Sequence, residues 1–148
     1  MPWLLKTEPN TYSIDDLKRD KKTAWDSIRN YQARNFLTSM EVGELCLIYH
    51  SNAEPPGVIG IGKISKRAFA DPLQFDKNSD YYDPKATKEK PRWFCPEISF
   101  VEKLTRLISL SELREIKELK EMALLRKGSR LSVQEVSEKE FKTILSLA

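Results

Sequence analysis

Two apolar runs separated by a short loop constrain the fold of this chain more than any other feature. The run LCLIYH, residues 45–50, is almost continuously apolar and predicts a β-strand that is covered on both faces. Typical turn formers, SNAEPPG, follow at residues 51–57, and VIGIGKI, residues 58–64, again has a strand pattern. Gly60 and Gly62 share one face of that second strand, which indicates a bulge, a barrel corner or a ligand that approaches the backbone.

Shorter patterns predict the remaining elements. An acidic residue three positions after Ser13 and after Ser137 forms a capping-box pattern, so we expect a helix to begin at each serine. Asn30 is expected to cap another helix over residues 31–40, and helical spacing of apolar residues returns after residue 110. The other predicted pieces are strands at residues 3–7 and 93–101, a helical piece at 118–125 and an extended stretch at 130–133.

The order of these elements indicates the fold class. Strands dominate the centre of the chain and do not alternate with crossover helices, which predicts an α+β fold with a small, mixed or mostly antiparallel curved sheet. Pro96 predicts an edge or a bulge in the strand at residues 93–101. Residues 71–92 are polar and contain three prolines, which predicts a long loop of the kind that is often functional. From the length of 148 residues we expect one domain over residues 1–148.

Composition limits the expected compartments and partners. No run of about 18 apolar residues occurs, so no membrane span is expected, and Lys6 and Glu8 interrupt the stretch that a secretion signal would need. Cys46 and Cys95 are isolated, which favours free thiols in a reducing compartment. A net charge of +3 permits nucleic-acid binding, but a solvated surface with a mild cationic excess explains it more simply.

The sequence contains no cluster with the pattern of a catalytic site. His50 is the only histidine and Ser51 follows it, but adjacent strand residues point to opposite faces and make a poor nucleophile and base. GxSxG, HExxH and P-loop motifs are absent, and two cysteines with one histidine are too few for a metal site. We therefore expect a non-enzyme without a metal or cofactor. His50 is interpreted either as a strand-end residue that donates to a loop carbonyl or as a ligand contact.

Aromatic and planar polar side chains are concentrated in WDSIRNYQARNFL, residues 25–37. Such side chains hold unpaired bases by stacking on their faces and bonding to their edges. Phe36 and Leu37 have helical spacing and are predicted to be core, whereas Trp25 is either a core anchor or a site residue. Trp93 is either an exposed platform or a plug inside the barrel. Five basic residues form either a phosphate-binding patch or a solvated helix face: Lys117, Lys120, Arg126, Lys127 and Arg130.

Five separated motifs resemble, in order, those of the EVE domain family from about residue 2 to the C-terminus. They are WLLKTEP at residues 3–9, WDSIRNYQARN at 25–35, YHSN at 49–52, PRW at 91–93 and RLSV at 130–133. The resemblance implies a PUA-like curved pseudo-barrel of about five to six mixed strands surrounded by short helices. It also implies a non-catalytic nucleic-acid-binding module that reads a modified base in an aromatic pocket, most of all a modified cytosine in DNA.

The resemblance further implies which residues form the site. Trp25 or Trp93 would stack on the base, and Asn30 and Ser51 would bond to its edge. Ser27 stands where the family commonly has glycine, and because serine adopts positive φ less easily, the turn is expected to differ slightly. The implied ligand-binding residues are Trp25, Arg29, Asn30, Tyr49, His50, Ser51, Trp93, Leu131 and Ser132, and the implied phosphate-binding residues are Arg34, Lys127 and Arg130.

Two other functions stay open at this point. One is an enzyme that acts on a nucleotide or modified base with His50 as its acid or base. The other is a protein-interaction domain that docks a partner through residues 71–92. The partner that we expect is nucleic acid, DNA or RNA with a modified base, and not a membrane. The expected location is the cytoplasm in a bacterium and the nucleus in a eukaryote.

Overall fold

The computed structural model describes all of residues 1–148 and shows one six-stranded sheet that is not closed into a barrel. The strand order is β2-β5-β4-β3-β1-β6, in which β1 is parallel to β3 and the other neighbours are antiparallel. This confirms the predicted α+β class with about six mixed strands. The strands are β1 Trp3–Thr7, β2 Lys22–Ala24, β3 Leu45–His50, β4 Gly57–Ala70, β5 Phe94–Ser109 and β6 Val133–Glu135.

Four short α-helices and three 3-10 turns surround this sheet. The capping boxes at Ser13 and Ser137 are both formed, and the Asn30 side chain accepts a hydrogen bond from the first turn of its helix, as predicted. None of the helices combines the length and the apolar character that crossing a membrane requires. The helices are α1 Ile14–Asp20, α2 Tyr31–Ser39, α3 Leu110–Arg114 and α4 Glu138–Ser146, and the 3-10 turns are Pro72–Phe75, Lys117–Leu119 and Ala123–Leu125.

Three elements differ from the sequence prediction. β2 was not predicted because Lys22–Ala24 has no apolar alternation, and it exists through its pairing with β5. The predicted helical piece at residues 118–125 is instead two 3-10 turns. β4 and β5 are also much longer than expected, and register shifts interrupt their pairing. Pro96 lies in β5 near such a shift, between β4 and β2, so the predicted bulge is right and the edge position is wrong.

The alternation of side chains along β3 divides the core between the two faces of the sheet. Cys46 and Ile48 belong to a core on the face that α1 and α2 cover. Leu47 and Tyr49 belong to a second core, which α3, α4 and the last two 3-10 turns cover. The predicted strand with two covered faces is therefore confirmed. Cys46 and Cys95 are buried and unpaired, and burial raises the pKa of each thiol to about 12.

Gly60 is a packing position for α1. A Cβ atom at this residue would lie 2.4 Å from Cδ1 of Ile14, and one at Gly62 would lie 2.8 Å from Cγ2 of Ile98. Register shifts flank Gly60 in the pairing with β5, which confirms the predicted bulge. The glycines therefore bring core side chains close to the strand, and they do not admit a ligand to the backbone.

We expect Gly60→Ala to lower the free energy of unfolding by about 1–3 kcal/mol because the added methyl overpacks the core against Ile14. Ile14→Ala removes both obstructing atoms, Cδ1 and Cγ1, and alone should cost about 2–5 kcal/mol. Urea unfolding should show that the double variant loses less free energy of unfolding than the two single losses added together. Strict additivity would show that Ile14 is not the obstacle.

Candidate functional site

Residues 25–30 form an extended connection between β2 and α2 that is held at defined points. The backbone N–H of Trp25 donates to the carbonyl of Pro96 at 2.8 Å, and that of Ser27 donates to the Asp71 carboxylate at 2.8 Å. Ser27 has a φ of +72°, in the left-handed region that glycine adopts at the least cost. The hydrogen bond that its N–H donates to Asp71 therefore stabilises a turn that is typical of glycine, although the residue here is a serine.

Asp71 is the buried acceptor that joins this connection to the start of the long loop. Its side chain is 1% exposed, and its Oδ2 atom accepts from Ser27 and from Nη1 of Arg29 at 3.0 Å. Its Oδ1 atom accepts from the backbone N–H of Leu73 at 2.8 Å. A buried charge is costly unless it is paired and hydrogen-bonded, so these three donors make the carboxylate tolerable here.

The side chain of Gln74 forms hydrogen bonds with both ends of the loop at residues 71–92. Its buried amide nitrogen donates to the carbonyls of Asp71 and Trp93, both at 2.8 Å. Its amide oxygen accepts from the backbone N–H groups of Arg92 and Trp93 at 2.8 and 3.0 Å. The sequence predicted a loop with little packing, but every hydrogen-bonding position of this side chain is used to anchor it.

A cleft of about 370 Å³ opens beside this connection, within the size range of small-molecule pockets. Tyr12, Trp25 and Tyr81 supply its aromatic rings, and the first two meet edge to face with centroids 6.4 Å apart. Burial, and then the hydrogen bond that the Tyr12 hydroxyl donates to Asp20, raises the pKa of Tyr12 to about 12. The other lining residues are Lys6, Thr7, Thr11, Thr23, Ala24, Asp26, Ser27, Ile28 and Ser132.

Asp26 supplies the only carboxylate that lines the cleft. Its Oδ1 atom accepts from Oγ of Ser27 at 2.9 Å, and no other residue donates to this side chain. Burial raises the pKa of the Asp26 carboxyl above its ordinary value, the Ser27 hydrogen bond and Arg29 oppose that shift, and the charge of Asp71 adds to it. The cleft thus contains a half-buried acceptor whose second oxygen has no donor within the protein.

Of the ligand-binding residues that the resemblance implied, Trp25 and Ser132 line this cleft. Arg29 lies behind the wall, where its Nε and Nη2 atoms donate to the carbonyl of Tyr81 at 3.1 and 3.0 Å. Its guanidinium is 5.6 Å from the centre of the Tyr81 ring. Arg29 thereby fixes the position of Tyr81 relative to Asp71, which holds the same guanidinium.

The implied site residues of β3 lie away from the cleft. Nε2 of His50 accepts a hydrogen bond from the backbone N–H of Ile14 at 3.1 Å, at the first residue of α1. Tyr49 is 3% exposed and packs in the core on the opposite face of the sheet. The backbone N–H of Ser51 donates to the carbonyl of Thr7 at 2.9 Å. These contacts connect β1, α1 and β3. His50 is a bonded strand-end residue, but the expected donation to a loop carbonyl is wrong, because its Nε2 atom accepts from a helix N–H.

Three further implied residues have partners within the protein. The Asn30 side chain caps α2 by accepting from the backbone N–H of Ala33 at 2.9 Å. Leu131 packs against the core that α1 and α2 cover. Trp93 is 6% exposed, and its Nε1 atom donates to Asp83 at 2.8 Å.

The three implied phosphate-binding residues have no carboxylate partner. Arg34 donates to the carbonyl of Arg92 at 3.2 Å and to the side chain of Asn35, so its charge is not neutralised. Lys127 and Arg130 are exposed, in the segment that leads to Ser132 in the cleft. The structure groups no three acidic, histidine or cysteine side chains in a way that could hold a metal ion.

Sequence reasoning did not identify Tyr12, Asp26 and Tyr81 as lining residues. Asp26 stands between Trp25 and Ser27 in a motif of the family, so its position in that motif could have identified it as a site residue. Tyr12 directly precedes Ser13, at which a helix was expected to begin, and that pattern gives no sign of a pocket. Tyr81 lies in the long loop, and no local pattern predicts that Arg29 holds it against the cleft.

Comparison with known proteins places these features in a family. The model of the EVE domain matches residues 2–147. Human thymocyte nuclear protein 1 is 41% identical over an alignment that covers 98% of this chain and 72% of that protein. The chicken protein of the same name is 40% identical, with 98% of this chain and 67% of the relative covered.

Solved structures agree with this assignment. A protein of Pseudomonas syringae is 45% identical, with 99% of both chains covered and a TM-score of 0.95. The human THYN1 protein in complex with DNA containing 5-methylcytosine is 40% identical, with 99% of this chain and 96% of that chain covered and a TM-score of 0.93. The ZmASCH protein of Zymomonas mobilis, at 10% identity and a TM-score of 0.56, shares the fold alone.

We expect His50 to make folding stability depend on pH between 7.5 and 5.5. Burial lowers its pKa, the charge of Asp15 opposes this shift and that of Lys103 adds to it. The unfolded chain therefore binds a proton more readily, so stability is full above a pH of about 6.5 and is lost as the pH falls. His50→Gln keeps an acceptor for Ile14 without titrating, and should flatten the stability difference between the two pH values in urea unfolding. An unchanged pH dependence would contradict this role.

We expect Asp71→Ala to lower the free energy of unfolding by about 3–5 kcal/mol, because it leaves the half-buried Arg29 and the Ser27 N–H without their acceptor. Urea unfolding measures this loss. Asp15→Ala is the matched control: it removes an aspartate that pairs with Lys103 at the surface and should change little. Equal costs for the two variants would show that Asp71 does not hold this connection.

Proposed function

This chain belongs to the EVE domain family, and we propose that it is a non-catalytic module that reads a modified cytosine in DNA. The observation that carries the proposal is the cleft beside Trp25, which three aromatic residues and one half-buried carboxylate line together. The human THYN1 protein, which shares the fold at 40% identity, was crystallised with DNA containing 5-methylcytosine. A base reaches such a cleft only after it leaves the stack, as in proteins that flip their target nucleotide.

The chemistry of the cleft suits a flat ligand with polar edges. Tyr12 and Tyr81 offer ring surface, and threonine and serine side chains line the cleft with them. Trp25 lines the cleft as well, but it is 8% exposed and also packs in the core that α1 and α2 cover. Ala24 and Ile28 add apolar surface, against which a 5-methyl group of cytosine can be buried. Together these features can bind a flat base with polar edges.

Asp26 supports cytosine in particular. The exocyclic N4 amine of cytosine is a donor, and carboxylates are its usual side-chain acceptors, whereas thymine presents an oxygen at the same position. Because Oδ1 of Asp26 is occupied by Ser27, the free Oδ2 atom is the acceptor that remains for a ligand. We assign base discrimination to Asp26 and stacking to the rings around it.

Binding to the backbone is assigned to the basic side chains without carboxylate partners. Arg34, Lys127 and Arg130 remain the proposed phosphate contacts, which give an affinity that weakens with salt and does not depend on the base. Among the implied ligand-binding residues, we keep Trp25 and Ser132 as direct contacts and Arg29 as a positioning residue. For the cellular location, we propose the nucleus in a eukaryotic source and the cytoplasm in a bacterial one.

A catalytic function has less support. The acceptor nitrogen of His50, the acid or base of that alternative, is already bonded to Ile14. A protein partner docked on residues 71–92 has less support as well, since Gln74 anchors that loop. Neither alternative accounts for a carboxylate held among aromatic rings.

The test is a titration against matched duplex and single-stranded oligonucleotides, with unmodified or 5-methylated cytosine, for the wild type and Asp26→Asn. The asparagine keeps the acceptor for Ser27 and replaces the free oxygen with a donor, which faces the N4 amine. We expect the modified duplex to bind more tightly than the unmodified one. Asp26→Asn should lose about 5- to 150-fold of that affinity, which corresponds to about 1–3 kcal/mol for one base contact.

Glu41→Gln is the matched control, since it removes one exposed negative charge away from the cleft. Stability separates loss of binding from loss of folding. Burial raises the pKa of Asp26, so ionisation at pH 7.5 disfavours the folded state, and Asp26→Asn should be at least as stable as the wild type there. Equal binding to all oligonucleotides would overturn the reader proposal, and turnover of a free nucleotide that His50→Ala abolishes would replace it with the enzymatic alternative.

A further inference from the structure

Tyr31 is a large aromatic side chain that the cleft does not use. It is the first residue of α2, and it is 51% exposed. Its ring stacks on that of Trp93, with centroids 5.0 Å apart and planes at 27°. Trp93 is itself 6% exposed, so the pair presents one ring to solvent and buries the other.

About half of Tyr31 stays exposed although the guanidinium groups of Arg34 and Arg92 lie near its ring. The guanidinium of Arg34 lies 4.8 Å from the Tyr31 centroid and 5.9 Å from the Trp93 centroid. With the 5.0 Å between the rings, these distances place Arg34 to the side of the line that joins the two centroids, and not opposite Trp93 across the Tyr31 ring. Arg92 bonds to the Tyr31 hydroxyl at the rim of the ring. A second flat group can therefore continue the stack.

The charge around this stack suits a phosphate. Arg29 is paired with Asp71, and Arg92 is paired with Asp83 at 3.0 Å. Arg34 has no carboxylate partner, so it contributes a full positive charge next to the open ring. An aromatic face beside an unpaired arginine is the combination with which proteins bind single nucleotides of a strand.

The stack is connected to the cleft through rigid contacts. The Arg29 guanidinium lies 5.6 Å from the ring of Tyr81, which lines the cleft, and 5.5 Å from the ring of Trp93. Trp93 contacts Tyr31 directly. The cleft and Tyr31 are thus separated by a length that a few nucleotides of one strand span, at about 3.4 Å each.

We propose that Tyr31 is a second base-binding position, on which a nucleobase flanking the base in the cleft stacks while Arg34 contacts the neighbouring phosphate. The inference rests on the proposed function, since its ligand is the same nucleic acid. The loop does not require this exposed ring, because Trp93 is held by Asp83 and Gln74. Stacking on Tyr31 compensates for the contacts that a flanking base loses when its neighbour leaves the helix.

The test compares Tyr31→Phe, which keeps the ring, with Tyr31→Ala, which removes it, on the 5-methylcytosine oligonucleotide of the titration. We expect Tyr31→Ala to weaken binding by about 5- to 150-fold, the range for one base–aromatic stack, and Tyr31→Phe to change it by less than about threefold. The loss should be the same for modified and unmodified cytosine. Tyr82→Ala, which removes another exposed tyrosine of the long loop, is the control and should bind as the wild type does.

A positional readout tests the contact itself. Oligonucleotides that carry 5-iodouracil at successive positions on either side of the modified cytosine are irradiated in the complex, and crosslinked peptides are identified by mass spectrometry. One flanking position should crosslink to Tyr31, and Tyr31→Ala should abolish that product. Full affinity of Tyr31→Ala with unchanged preference for the modified base overturns this inference and leaves the reader function intact. Absence of any modification-dependent binding by the wild type overturns both.

Discussion

The carboxylate of Asp71 is the interaction on which the arrangement of the site depends. It accepts from Ser27, Arg29 and Leu73, so one buried charge fixes the connection before α2, the guanidinium behind the cleft and the first turn of the long loop. Arg29 in turn donates to the carbonyl of Tyr81 and so fixes the position of that residue. The aromatic walls of the cleft come from distant parts of the sequence, and the hydrogen bonds that join Asp71, Arg29 and Tyr81 hold them in place.

The site also retains features that a chain selected for stability alone would avoid. Ser27 adopts a positive φ that costs a non-glycine residue free energy, and burial raises the pKa of Asp26 by disfavouring its charged form. The two residues are adjacent, and the hydroxyl of Ser27 donates to Asp26. A glycine at position 27 would relieve the backbone but remove that donor. The serine therefore orients the carboxylate at the expense of backbone strain, which is expected where pre-organisation matters for binding.

The sequence predicted the fold better than it predicted the cleft, for physical reasons. Capping boxes at Ser13 and Ser137 and the apolar run in β3 are local signals, and each gave the right element. β2 has no such signal, because pairing with β5 creates it. Tyr49 and His50 stand in a motif of the family, yet the alternation of a strand sends Tyr49 to the opposite core. Contacts such as Arg29 with Tyr81 span 52 positions, and no short pattern encodes them.

In the proposed interface, different residues supply the affinity for DNA and the discrimination between bases. The distribution of charged side chains explains this division. The net charge of +3 is small, so overall attraction to DNA is weak, and the unpaired Arg34, Lys127 and Arg130 must supply local phosphate contacts. The carboxylate of Asp26 repels the backbone and is useful only if a base donor reaches it. Phosphate contacts bind any strand, whereas the cleft adds affinity only for a strand whose base leaves the stack and donates from its amine to Asp26. A reader with a negative charge in its pocket therefore resists non-specific occupancy of that pocket, and it does so without a strongly basic surface.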